Sequence, residues 1–178
     1  MFQAIANWWD RLFDMDTPML LKGDGTWPFT VTVDGQDLVF SGVATCFGGG
    51  DDPQDDGSTA SGINTKTHPA FAACSLAMDG RQFPGASHAE HAQLDGCPIP
   101  RLPFNTTVEV TIRGVSASFP VIDLGPAKDA TDDPKRPHVV DLTAPAARRF
   151  DANANARNFE EPCTVRIIGG AKFIPAKC

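Results

Sequence analysis

The sequence predicts a mainly β domain, and three observations carry that prediction. Fifteen Pro and sixteen Gly are spread along 178 residues instead of being clustered, which suits short strands joined by many turns. Thr107, Glu109 and Thr111 alternate with Val108, Val110 and Ile112, the period-two pattern of a half-buried strand. Asp34-Gly35 sits between two short β-prone runs and is the strongest local hairpin signal in the chain. A hydrophobic share of 42% supplies a core and argues against wholesale disorder. The length suits one domain with an extension rather than two full domains.

Taken in order, Phe2, Ile5, Trp8, Trp9, Leu12 and Phe13 recur at helical spacing, with Asp10, Arg11 and Asp14 opposite them. This predicts an amphipathic helix over residues 2–15 that ends before Pro18 and docks on the rest of the protein. Its polar face is not basic, which argues against a membrane-surface helix. Residues 30–33 and 36–40 form the predicted hairpin, and 41–47 continues as an extended segment. Residues 48–62 read as a polar loop. Residues 66–101 read as a long irregular insertion, with Cys74 and Cys97 near its ends. A disulfide between them would contribute roughly 3 kcal/mol by closing the loop. Strands are expected over 107–113, 116–122 and 163–168, with 172–174 extending the last. Val139 and Val140 lead to Asp141. Thr143 is placed to cap a short helix through Phe150, with Pro145 in its permitted first turn.

A formal charge of −7 argues against nucleic acid or an anionic membrane as the main partner. No stretch approaches the roughly 20 apolar residues of a membrane span. Residues 1–16 lack the pattern of a secretory signal, because their one basic residue, Arg11, follows the apolar stretch. Five cysteines (Cys46, Cys74, Cys97, Cys163 and Cys178) nevertheless point to an oxidised framework of two bridges and one unpaired thiol. The expectation is therefore an extracytoplasmic protein, periplasmic or secreted, whose export signal is not visible.

Four ordered segments carry a resemblance. Ser41-Gly-Val-Ala-Thr45 is followed by Thr59-Ala-Ser-Gly62, then by Leu102-Pro-Phe-Asn-Thr-Thr-Val-Glu-Val110. Val121-Ile-Asp-Leu-Gly-Pro126 and Val140-Asp-Leu-Thr143 complete the set. Together, over residues 41–168, they resemble the rare lipoprotein A-like double-psi β-barrel family, which is related to expansins, barwin and a group of cellulases. The resemblance implies a six-stranded double-psi β-barrel over 41–178, with the helix and hairpin of 1–40 as an N-terminal extension. Asn105 stands where that family has Gly, and Asn tolerates positive φ better than most residues.

The resemblance also implies a function. In family members that cleave peptidoglycan, the Asp of the Asp-x-Gly-Pro segment is required, and related transglycosylases use the later Asp as the acid. Carried over, these catalytic candidates are Asp123 and Asp141, with Thr59, Ser61, His68 and His138 as substrate-binding candidates. One carboxyl raised toward a pKa of roughly 6 would serve as both acid and base in lytic transglycosylation. The expected partner is a cell-wall polysaccharide such as peptidoglycan, bound by a monomer without a cofactor. Two polar positions differ from the family's enzymes: Ile63 replaces a Glu, and Cys74-Ser75 follows Ala72-Ala73 where a His is usual. These differences keep open a non-catalytic, expansin- or barwin-like glycan-binding module.

Simpler roles stand beside each candidate. Asp123 can cap the turn at Gly125-Pro126, and Asp141 can serve helix entry. His138 suits an exposed surface as well as a groove. His88-Ala-Glu-His91 fixes no ligand geometry, so no metal site is expected. Ser75 has no recognisable base or elbow motif around it, so nucleophilic catalysis is not expected. Asn105-Thr-Thr107 is a glycosylation sequon relevant only to a eukaryotic secretory pathway.

Overall fold

The computed structural model describes residues 31–48, 52, 55–76, 93–94, 97–98, 103–126 and 135–173. The helix expected over 2–15 lies outside them. In chain order the strands are β1 (Val31–Asp34), β2 (Asp37–Phe47), β3 (Cys74–Leu76), β4 (Gln93–Leu94) and β5 (Cys97–Pro98). They continue with β6 (Thr107–Ile112), β7 (Val115–Leu124), β8 (His138–Thr143) and β9 (Glu160–Ile167). A short helix, α1 (Ala144–Ala147), follows β8, and a 3-10 turn spans Gly170–Phe173. The protein is mainly β, as expected.

Six strands close a barrel in the order β2-β8-β3-β7-β6-β9, with β9 pairing back onto β2. The contacts β2–β8 and β3–β7 are parallel, and the other four are antiparallel. Strand β1 adds to β2 outside the ring, and β4 and β5 form a separate small ribbon. The core is filled by inward side chains from all six barrel strands, including Phe40, Leu76, Val110, Val121, Leu142 and Val165. Their alternation with outward polar residues follows from the two-residue period of a strand. Phe150, beyond α1, meets Phe119 edge to face with centroids 6.1 Å apart.

Local chemistry explains the joints. The β1–β2 loop is Gly35-Gln36, one residue later than predicted, with Gly35 at φ +60° and Asp34 paired to Asp37. The β6–β7 loop is Arg113-Gly114, and both residues have positive φ, which matches the strand twist of a tight hairpin. Asn105 does take positive φ, at 68°. Arg166 on β9 binds Asp37 at 2.9 Å and Asp34 at 2.6 Å, tying the first hairpin to the barrel. The amide of Gly169 donates to Asp37 at 2.7 Å; with Arg166, it holds that carboxyl below its usual range. Gly42 lies where β2 crosses the 137–139 segment. A Cβ there would overlap the side chain of Val139 and the carbonyl of Pro137.

Several expectations change. Strand β2 runs unbroken from Asp37, pairing with β9 from Leu38 onward, so 37–40 is part of the barrel sheet. The stretch 66–101 contains β3, a barrel strand seated between β7 and β8. Residues 170–173 turn into a 3-10 helix instead of prolonging β9. Thr143 precedes α1, but its hydroxyl makes no cap bond. It instead donates to the carbonyl of Phe71 and accepts from the amide of Ala73, both at 3.0 Å. The helix itself ends at Ala147, short of the predicted Phe150.

Cys46, Cys74 and Cys163 are buried free thiols. Two bridges need four of the five cysteines, so the predicted framework does not form, and neither does a Cys74–Cys97 closure. These thiols fill core volume as small apolar groups. Burial pushes Cys46 and Cys163 up to about 12 and raises Cys74 as well.

Two outcomes are expected. All three thiols resist alkylation in the native protein and react in denaturant without any reductant, as read by peptide mass mapping. Gly42→Ala overpacks the β2–β8 crossing and lowers stability by about 1–3 kcal/mol in urea unfolding.

Candidate functional site

Strand β8 lies between β2 and β3, and its register decides what meets there. Asp141 is directly opposite Thr45 on β2 and Ser75 on β3. Ser75 is in turn opposite Asp123 on β7, and Thr45 is opposite Glu160 on β9. Directly paired residues project from the same face of a sheet. Glu160, Thr45, Asp141, Ser75 and Asp123 therefore form one polar row across five of the six barrel strands. The residues flanking this row, such as Ala44, Cys46, Val140, Leu142, Cys74 and Leu76, belong to the core. The row thus occupies the outer face of the barrel wall.

Register shifts make this alignment possible. Pairing slips between Val43 and Ala44 in the β2–β8 ladder, and between Cys74 and Ser75 in the β3–β7 ladder. Such irregularities re-aim side chains. Through the second slip, Cys74 and Val121 both join the core while Ser75 and Asp123 share the opposite face.

Two loops cover part of the row. The amide of Ala60 donates to Asp123 Oδ1 at 2.9 Å, and the amide of Ser61 donates to the carbonyl of Ile122 at 3.0 Å. The hydroxyls of Thr59 and Ser61 are bonded to each other at 2.9 Å, and Thr59 also donates to the carbonyl of Ile63. On the other side, Gly125 passes over Ser75 and Asp141. A Cβ on Gly125 would stand 3.0 Å from Ser75 Oγ and 3.2 Å from Asp141 Oδ2. This approach requires the smallest residue, and it leaves Ser75 only 2% exposed.

Asp141 is the chemically distinctive member. Burial pushes its carboxyl up to about 6, the largest effect upon it. A hydrogen bond from Thr45 to Oδ1 and the nearby imidazole of His138 pull it down, while the charge of Asp123 adds to the rise. A carboxyl so placed carries a proton in mildly acidic solution and can give it to an oxygen laid against the row. Its conjugate base can then take a proton back. Asp123, half-buried, offers negative charge on the far side of β3.

The predicted residues are not all gathered here. Asp123, Asp141, Thr59 and Ser61 come together. His138 sits at the rim, with Nε2 3.4 Å from Glu160 Oε1, the oxygen that Arg136 also binds at 2.7 Å. His68 is elsewhere: its Nδ1 lies 3.1 Å from the carbonyl of Asn64, and the residue lines a separate pocket beside Phe71 and Thr143. Thr45, Ser75 and Glu160 were not identified as site residues from the sequence, because membership of the row depends on register between distant strands. Among the described residues, no group of three or more His, Cys, Asp or Glu is arranged to hold a metal ion. No helix among them is long and apolar enough to cross a membrane.

No protein-family model matches this chain, and no curated protein matches it as a relative.

The raised pKa has a consequence for stability. Between about pH 4, where an unfolded Asp titrates, and pH 6, the folded protein holds a proton that the unfolded chain has released. Stability therefore falls as pH rises through that window, by up to about 3 kcal/mol from this group. Asp141→Asn removes that contribution. Urea unfolding at pH 4.5 and 7.5 is expected to show a smaller loss for the variant than for the wild type, and a more stable variant at pH 7.5.

Proposed function

We propose that this protein acts on a cell-wall glycan as a lytic transglycosylase-like enzyme, with Asp141 as the general acid and base. The observation that carries this reading is a single carboxyl raised to about 6, set in one row with a second carboxylate on the outer barrel face. A strand of sugars lying across the row would bring a glycosidic oxygen to Asp141. Proton transfer from the carboxyl to that oxygen accompanies cleavage of the C1–O bond. The departing sugar leaves as an alcohol, and positive charge develops at C1. The negative charge of Asp123 favours that charge electrostatically. A hydroxyl of the sugar that carries C1, not of the departing one, then attacks C1 and gives its proton to the Asp141 carboxylate. An anhydro ring results, the acid is regenerated, and neither water nor a cofactor is consumed.

Further support comes from how the resembling segments meet. The Thr59-Ala-Ser-Gly62 loop bonds the Asp-Leu-Gly-Pro segment through Ala60 and Asp123. The Val140-Asp-Leu-Thr143 strand lies one strand away from that segment, across β3. A closed barrel with two parallel and four antiparallel contacts suits the double-psi arrangement included in this proposal. An extracytoplasmic location follows from the substrate and not from the cysteines, because three of them are free.

A second reading, a glycan-binding module without catalysis, has its own support. Asp123 and Asp141 both accept hydrogen bonds from the protein, and Cys74 is a core residue where the family's enzymes place a histidine. Digestion of purified peptidoglycan separates the readings. The wild type is expected to release anhydro-muropeptides, Asp141→Asn to lose at least a hundredfold in rate, and Asp123→Asn to lose less. Products with reducing ends instead of anhydro ends would mean hydrolysis. Sedimentation with the insoluble wall without any release would favour the binding module.

A further inference from the structure

A second site lies along the same two strands. Thr143 on β8 is paired with Phe47 on β2, two residues on from the Asp141–Thr45 pair. Residues two apart in a strand share a face, and two steps advance it by about 7 Å. Thr143 and Phe47 therefore stand beside the polar row at a distance on the scale of one sugar residue. They line a pocket of about 110 Å³ with Phe71, Pro145, His68 and Arg148 among its other walls.

The wall chemistry is mixed in an informative way. Phe71 is 39% exposed, one of few large apolar side chains left open to solvent among the described residues. Its backbone is nevertheless held, because its carbonyl accepts from the buried Thr143 hydroxyl. The residue lines the pocket and is partly open to solvent, as a stacking surface requires. Arg148 forms no ion pair among the described residues, although the chain carries a charge of −7. Two acidic groups, Asp52 and Asp55, already accept hydrogen bonds from the protein. Asp52 accepts from the amides of Gly48 and Asp55, and Asp55 accepts from the amide of Gly57 and the hydroxyl of Thr65. An arginine with no ion pair among the described residues, lining the same pocket as an exposed aromatic residue, suits a ligand with both a flat apolar face and a carboxylate.

We propose that this pocket is a binding subsite for a carboxylate-bearing sugar, with Arg148 pairing the carboxylate and Phe71 stacking on the ring. The inference rests on the glycan reading of the adjacent row and narrows its substrate class to acidic glycans. Two sources share this chemistry: a sugar acid, with the carboxylate on the ring, and a muramic acid, with the carboxylate on an ether substituent.

Titration of the Asp141→Asn protein, which is expected to turn over its ligand at least a hundredfold more slowly, tests the site with three probes. These are an oligogalacturonate, a muramic acid-containing tetrasaccharide and neutral chitotetraose, followed by calorimetry. At least one acidic probe is expected to bind fivefold or more tighter than chitotetraose. Arg148→Gln is expected to abolish that preference without weakening chitotetraose, and Arg148→Lys to restore part of it. Arg148 is exposed, so a folding defect is not anticipated, and thermal unfolding of each variant checks this. Phe71→Ala is expected to weaken acidic and neutral probes alike. Equal binding of all three probes, unchanged in Arg148→Gln, would overturn the subsite and leave the glycan reading standing. Failure of every probe to bind would overturn both.

Discussion

The barrel closes through β2. Along its first half this strand pairs with β1 on one side and β9 on the other, and toward its end β8 takes the place of β1. The exchange happens at Gly42 and Val43. There a missing side chain lets Val139 and Pro137 approach, and a register slip resets the ladder. Everything that makes the outer wall chemically interesting follows from that crossing. If β8 were shifted by one residue, Asp141 would enter the core and Leu142 would face outward, since a strand's faces alternate with a period of two.

Asp141 shows how a carboxyl can be neither buried salt bridge nor free surface acid. Among the described residues, the hydroxyl of Thr45 and the imidazole of His138 act to lower its pKa. The same imidazole also faces Glu160, with Nε2 3.4 Å from Oε1. Desolvation therefore outweighs hydrogen bonding, and the carboxyl titrates near 6. Replacing Thr45 by a stronger donor would lower that value. The row tunes the group through what it withholds as much as through what it provides.

The sequence was most legible where structure is local. The alternation of Val108, Val110 and Ile112 located β6, and Asp34-Gly35 located the first hairpin to within one residue. The positive φ of Asn105 followed from its residue type. Strand β3 was invisible, because Cys74-Ser75-Leu76 is three residues long and shows no periodicity. It is a strand only because β7 and β8 offer it edges on both sides. Ser75 was lost with it, as was the fact that Asp123 and Asp141 flank one residue. The cysteines misled for a related reason. Spacing and count suggested bridges, whereas position inside the barrel made Cys46, Cys74 and Cys163 packing groups. Neither register nor burial is encoded within the span of a short motif.

The strand order has a further implication for how the chain holds itself together. The two strands at the C-terminal end are not added to one side of a finished sheet. Strand β8 is wedged between β2 and β3, and β9 between β6 and β2. A backbone cut between β7 and β8 would leave two fragments interleaved strand by strand, neither able to depart without dismantling the other. The protein would tolerate a nick there as a two-piece complex, with its polar row still assembled from both pieces.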